Sequence, residues 1–243
     1  MDFKYTIENN QVSITKYTGS SKYVTIPNEI EGLPVTIIRQ NAFRWDPLYM
    51  DRPCAVSKNR LISIDLPQNL TTIESCAFRC NSLTSINFPQ NLTTIGKSAF
   101  YENKLTSINL PQKLTDIDDH AFSFNNLTSI SFPQNLTTIG KYAFGSNLLT
   151  SIDLPQNLAT IELGVFYNNK LTSIILPNKF RTDEQITNIF IFRLEEFDNK
   201  NRKFIKPYLA KILEDCNVHH HFHDIIIDYT LPSNELIQEV IEA

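Results

Sequence analysis

Across residues 61–170 the apolar positions recur with a fixed period of 22. In the copy that starts at Leu83, LTSINFPQNLTTIGKSAFYENK, large apolar side chains hold the first, fourth, sixth, tenth, thirteenth and eighteenth places, with Ala99 beside Phe100. Copies start at Leu61, Leu83, Leu105, Leu127 and Leu149, and a sixth start at Leu171 runs to Pro177. The opening LTSINF alternates apolar and polar, which predicts a half-buried strand. The second cluster, LTTIGKSAF, has no clean strand or helix period, so a return segment with a tight helical or extended turn is expected there. One copy carries too few apolar side chains to offset the entropy of ordering its backbone. Copies must bury their apolar rows on one another, and a fixed period of this length predicts a stacked-repeat architecture.

Individual columns of the repeat have physical jobs. Proline follows the strand each time, at Pro67, Pro89, Pro111, Pro133, Pro155 and Pro177. It cannot donate to a ladder and so stops the strand at one register. Asparagine follows each phenylalanine by three, at Asn81, Asn103, Asn125, Asn147 and Asn169. A buried amide there can bond turn backbones in its own copy and a neighbouring one. Gly96 and Gly140 share a column with Glu74, Asp118 and Glu162, so that column does not require a left-handed backbone.

The pattern LxxIxLPxxLxxIgxxAFxxN resembles the BspA-type (Treponema pallidum-like) class of leucine-rich repeat. The match is close from Leu61 to Pro177, and YVTIPNEIEGLPVTIIRQNAF, residues 23–43, resembles the usual degenerate first repeat. The family often has Cys three places after the Phe, where this chain has Asn. The resemblance implies a β-rich solenoid, a right-handed curved stack of short parallel strands. It also implies a secreted or cell-surface setting and adhesion to host proteins or other cells, mostly in bacteria and protists. The chain itself begins MDFKYTIENN, without a charged-then-apolar leader pattern.

Around the repeats the chain divides into 1–22, 23–60, 61–180 and 181–243. In the first segment FKYTIE and QVSITKY alternate around Asn9 and Asn10, which predicts a β-hairpin covering one end of the stack. Residues 44–60 interrupt the period and contain the chain's one tryptophan. Trp45, Tyr49 and Arg52 are residue types that dominate binding hot spots, and inserted loops often carry function. The alternative is a loop folded back with Trp45 packed inward.

The outward strand positions form a broad polar face: Ser85, Ser107 and Ser129 in one column, Asp65, Asn87, Asn109 and Asp153 in the next. Repeat proteins bind through such concave sheets. This face is expected to be uniform and to lack an aromatic anchor. The threonine ranks, including Thr72, Thr94, Thr138 and Thr160, could match ice or a carbohydrate lattice, although Asp116 and Ala159 interrupt them. NLT strings at Asn69, Asn91, Asn126 and Asn135 fit the glycosylation acceptor pattern, three of them produced by the repeated QNLT.

Beyond Pro177 the pattern changes. Residues 182–197 and 207–216 have helical apolar spacing, 224–230 suggests a strand and 233–242 a short helix. Together they predict a mostly α-helical C-terminal cap. The string HHHFH places His219, His221 and His223 on one face if extended. That makes them weak metal candidates; clustered histidines usually form a solvated loop that takes up metals adventitiously.

Composition narrows the function classes. A net charge of −4 lacks the basic stripe expected for nucleic acid. No apolar run reaches the length of a membrane span. The four cysteines are too sparse for a disulfide framework, so free thiols are expected, and Cys76 and Cys80 alone fall short of a structural zinc site. No nucleophile elbow or phosphate-binding glycine loop is present. The sequence therefore points to a non-enzymatic protein without a cofactor, binding a protein or surface polymer. The alternatives are a metal-binding or metal-dependent catalytic module in the tail, with the repeats as targeting arm, and a lattice-binding solenoid.

Overall fold

A computed structural model describes residues 2–44 and 60–177. The expected tail helices and strand, HHHFH, and Trp45, Tyr49 and Arg52 lie outside the described residues.

The described chain is a β-solenoid of about seven turns, with no helix among the described residues. Its strands in chain order are β1 (Phe3–Glu8), β2 (Gln11–Tyr17), β3 (Tyr23–Thr25), β4 (Glu29–Ile30), β5 (Leu33–Ile38), β6 (Ser63–Asp65), β7 (Thr72–Ile73) and β8 (Thr94–Ile95). Then come β9 (Asp116–Ile117), β10 (Thr138–Ile139), β11 (Ser151–Asp153), β12 (Thr160–Ile161) and β13 (Ser173–Ile175). Every pairing between copies is parallel.

The longest sheet does not form where the alternating pattern is cleanest. It runs β1-β2-β5-β7-β8-β9-β10-β12, through the second apolar cluster. The segment expected as a return is therefore the continuous ladder. The LTSINF segment forms named strands only near the ends, as the β3–β6 and β11–β13 pairs. In the middle copies it narrows to single bridges, Asn87 to Asn109 and Asn109 to Ser131. The proline that follows explains the brevity. Its carbonyl accepts from the leucine three residues on, as from Pro89 to Leu92 at 3.2 Å, and the chain turns at once through Gln-Asn.

The hairpin is present. β1 and β2 pair antiparallel around Asn9 and Asn10, whose φ values of 52° and 57° are the left-handed pair of a tight two-residue turn. β2 then lies parallel to β5, and Arg39 joins Glu8 at 3.4 Å and Glu74 at 3.0 Å, linking the hairpin to the first full copy.

Two interior columns hold the stack together. Phe43, Phe78, Phe100, Phe122, Phe144 and Phe166 form a spine of rings whose successive centroids lie 5.0, 5.2, 5.3, 5.4 and 6.0 Å apart, all stacked. Tyr17 of the hairpin extends the spine at 5.6 Å from Phe43. Phe88 and Phe132 meet the spine edge-on. Beside it, each asparagine bonds as expected. Asn125 Oδ1 accepts from Leu105 N at 3.0 Å, and its Nδ2 donates to Phe122 O at 3.1 Å and to Phe100 O of the preceding copy at 2.9 Å. The same bonds recur at Asn81, Asn103, Asn147 and Asn169. The amide thus satisfies backbone groups that the turn would otherwise bury unpaired.

Each full copy turns through two left-handed residues, four apart. Cys76, Ser98, His120, Tyr142 and Gly164 hold one position, and Cys80, Glu102, Phe124, Ser146 and Asn168 the other, all with φ between 53° and 64°. Only one of these is glycine. What keeps ordinary residues in a costly conformation is the neighbouring copy: Ser98 N donates to Asp119 O at 2.8 Å and Glu102 N to Ser123 O at 3.0 Å. The glycine column with Glu74 and Asp118 is not left-handed, as expected.

Candidate functional site

Each turn of the solenoid presents a strand face and a turn edge. On the strand face, Asp65, Ser85, Asn87, Ser107, Asn109, Ser129 and Asp153 are all exposed. The alternation explains this: Ile64, Ile86, Ile108 and Ile152 between them point inward and are buried. Parallel pairing keeps like above like, with Ser151 opposite Ser173 and Asp153 opposite Ile175. At about 4.8 Å per strand, seven ranks from β3 to β13 make a face roughly 29 Å long.

The face is not without an aromatic anchor. β3 pairs with β6 so that Tyr23 joins the serine column and Thr25 joins the Asp/Asn column, its Oγ1 donating to Asp65 Oδ2 at 3.0 Å. Tyr23 is 67% exposed, and Ile175 at the far end is 56% exposed. The expectation of a face without an aromatic anchor is corrected at the Tyr23 end, while Ile175 stands in the Asp/Asn column by the repeat period alone. The degenerate first copy hid Tyr23, because its register with the serine column is set only by strand pairing.

One of the two threonine ranks, and the asparagines beside it, serve the stack. Thr71, Thr93, Thr115 and Thr137 each donate Oγ1 to the carbonyl of the equivalent residue one copy earlier, at 3.1–3.3 Å. These hydroxyls belong to the rank that Ala159 interrupts; Thr72, Thr94, Thr138 and Thr160, in the rank that Asp116 interrupts, lie in β7, β8, β10 and β12 and pair through the strand backbone. Asn91, Asn135 and Asn157 likewise donate to the glutamine carbonyls of the preceding copies.

The turn edge carries side chains that sequence reasoning set aside. Its columns vary from copy to copy, and only Cys76 and Cys80 among them were singled out from the sequence; the missed signal is that the variety is rich in rings and cations. Arg79 lies over the Tyr101 ring at 4.7 Å, Tyr101 meets Phe124 at 5.2 Å, and His120 stacks on Tyr142 at 5.2 Å. Tyr142 meets Tyr167 edge-on at 5.8 Å, and Lys97 pairs with Asp119 at 3.6 Å. Ser123 Oγ donates to the Tyr142 carbonyl, leaving its oxygen to accept from His120 Nδ1 at 3.3 Å. Burial pushes the His120 pKa below its ordinary value, opposed by Asp119 and reinforced by Lys97 and Arg79. Burial raises that of Tyr101, opposed by Arg79.

The expectation of free thiols holds for Cys76 and fails for Cys80, which is disulfide-bonded. Cys80 is 8% exposed at a left-handed turn position. Cysteine spacing could not reveal a pairing that depends on tertiary approach.

A shallow hollow of about 220 Å³ lies beside Glu74, where Gly96 has no side chain, lined also by Gln40, Thr72 and Thr94. Among the described residues no group of three or more His, Cys, Asp or Glu could hold a metal. His219, His221 and His223 lie outside them. Among the same residues no helix is long and apolar enough to cross a membrane.

Comparison with known proteins agrees with this geometry. The model of the BspA type Leucine rich repeat region matches residues 52–126 and 115–203. Among solved structures, a Treponema pallidum leucine-rich repeat protein is 27% identical with a TM-score of 0.45, covering 72% of this chain and 69% of its own. A leucine rich cell surface protein of Faecalibacterium prausnitzii is 26% identical with a TM-score of 0.52, covering 71% of this chain. The pneumococcal vaccine antigen PcpA is 23% identical with a TM-score of 0.57, covering 71% of this chain. This chain spans about half the length of the latter two, 52% and 48%. No curated protein matches it.

Proposed function

Since this chain belongs to the BspA-type leucine-rich repeat family, we propose that it is a non-enzymatic binding protein that recognises a protein, or a polymer of a cell surface, through its strand face. Proteins of this family are typically bacterial surface or interaction proteins, and the Faecalibacterium neighbour is described as a leucine rich cell surface protein. The observation that carries the reading is the strand face itself. Short polar side chains stand in parallel ranks, with Tyr23 exposed at one end and Ile175 at the other.

The mechanism is recognition on a surface already ordered. Backbone bonds between copies and the asparagine column hold the ranks, so binding costs little ordering of the solenoid. Asp65, Asn87, Asn109 and Asp153 supply hydrogen bonds from the middle of the face. Tyr23 supplies apolar area with a hydroxyl at its tip. Trp45, Tyr49 and Arg52 of the insertion belong to the same reading as further contacts. The hairpin of residues 1–22 and the tail of 181–243 serve as end covers, because bare repeat ends are insoluble.

The test is capture from an extract of cell-surface proteins, comparing the intact chain with an Asn87→Arg/Asn109→Arg variant and with Tyr23→Ala. All these positions are exposed, so melting temperatures should match. The reading expects a captured partner that both variants lose. Equal capture by all three proteins refutes the strand face as the binding surface.

A further inference from the structure

Charge is sorted by position across the five full copies. The turn half of the repeat, positions fifteen to twenty-two, holds Arg79, Lys97, Lys104, Lys141 and Lys170 against Glu102 and Asp119. The other half holds a single cation, Lys113, against Asp65, Glu74, Asp116, Asp118, Asp153 and Glu162. A chain that is acidic overall therefore presents one cationic edge. The same edge carries the linked row of rings from Tyr101 to Tyr167, with Phe124 50% exposed and Leu148 37% exposed.

These features are not required by the fold. The columns that build the stack repeat almost unchanged, whereas positions sixteen, nineteen and twenty change in every copy or nearly so. Left-handed backbone favours glycine at two of them, yet His120, Phe124 and Tyr142 occupy it. Bulky rings in a conformation that disfavours them need another reason to be there.

We propose that this turn edge is a second docking surface, distinct from the strand face, for an acidic polypeptide segment that also carries apolar side chains. Carboxylates would meet Lys97, Lys141 and their neighbours along the edge, and an apolar side chain would seat on Phe124 and Leu148. Cationic and aromatic groups together match such a segment in both charge and apolar area. An acidic polysaccharide fits less well. Sugars stack on free ring faces, and here Arg79 covers a face of Tyr101 while His120 and Tyr142 cover each other.

The experiment uses the full chain and a fluorescein-labelled peptide repeating Glu-Glu-Leu-Glu-Glu-Tyr, read by anisotropy. A peptide with Lys for every Glu is the charge control, and hyaluronan at matched charge is the polysaccharide competitor. The Glu peptide should bind and weaken with added salt, and the Lys peptide should not bind. Lys97→Gln/Lys141→Gln and Phe124→Ser should each weaken binding by about tenfold. All three sites are exposed, and a melting curve confirms that the variants fold. Tyr23→Ala should leave this affinity unchanged, which separates the edge from the strand face. Absence of Glu-peptide binding overturns the proposal. So does unchanged affinity in Phe124→Ser, or displacement by hyaluronan, either of which would reduce the edge to a generic anion attractor.

Discussion

Replacing Asn125 with alanine takes a hydrogen bond from three backbone groups at once and leaves one of them, a buried N–H, without a partner. Leu105 N–H loses its acceptor at 3.0 Å, and the carbonyls of Phe100 and Phe122 lose donors at 2.9 and 3.1 Å while keeping second ones from Asn103 and Asn147. The amide is buried, 6% exposed, in the middle of the array. Each bond is worth about 1 kcal/mol net, and a buried N–H left without a partner adds about 1–3 kcal/mol, so Asn125→Ala should cost about 4–6 kcal/mol. Asn169 makes equivalent bonds but is only half-buried, so water can replace its amide. Asn169→Ala should then cost about 1–2 kcal/mol. Urea unfolding followed by circular dichroism measures both, with the shift in midpoint at constant slope giving the difference. Asn125→Asp is the internal control, since it turns a donor into an acceptor facing two carbonyl oxygens and should be at least as damaging as alanine. A loss below about 1 kcal/mol for Asn125→Ala, or equal losses at the two sites, would refute the argument that buried amides hold adjacent copies together.

Phe122→Ala should cost about 3–5 kcal/mol in the same urea assay, because the ring is fully buried between Phe100 and Phe144. Two glycines separate backbone strain from steric overlap. Gly32 and Gly164 both have positive φ, but a Cβ at Gly32 meets nothing within 4 Å, whereas one at Gly164 would lie 2.5 Å from the Tyr142 ring. Both alanine variants should lose about 1–2 kcal/mol to backbone strain, and Gly164→Ala should lose measurably more. His120 makes stability depend on pH. Its folded-state pKa lies below the ordinary 6.5, so the unfolded chain takes up the proton first as pH falls. The contribution is fully present above 6.5 and is lost as pH drops from there toward the folded value. His120→Phe should flatten that acid limb in melting curves taken across the range. For the insertion, Trp45→Ala should weaken partner capture while leaving the melting point unchanged; unfolding would mean that Trp45 is packed inside.

The period, the proline stops and the identity of the interior columns were legible in the chain, because each depends on residue chemistry at a fixed spacing. Phenylalanine every 22 residues has one place to go when a copy cannot bury it alone. A three-residue step to asparagine sets its amide beside the turn backbone whatever lies above it. The hairpin was legible too, through alternation around Asn9 and Asn10. Pairing across copies decided the rest. Which of two apolar clusters would carry the continuous ladder depended on how soon proline ended the first, and on β-branched Thr-Ile steps stacking in register. Tyr23 joined the strand face only once β3 aligned with β6, since a degenerate copy has no reliable register of its own. The left-handed turns escaped notice because no glycine marks them; bonds from the next copy hold them, and those bonds exist only in the stack. The turn edge escaped for a related reason. No one residue repeats in these columns, so their excess of rings and cations is visible only as composition, and it took the fold to bring Arg79, Tyr101, His120 and Tyr142 into a single row.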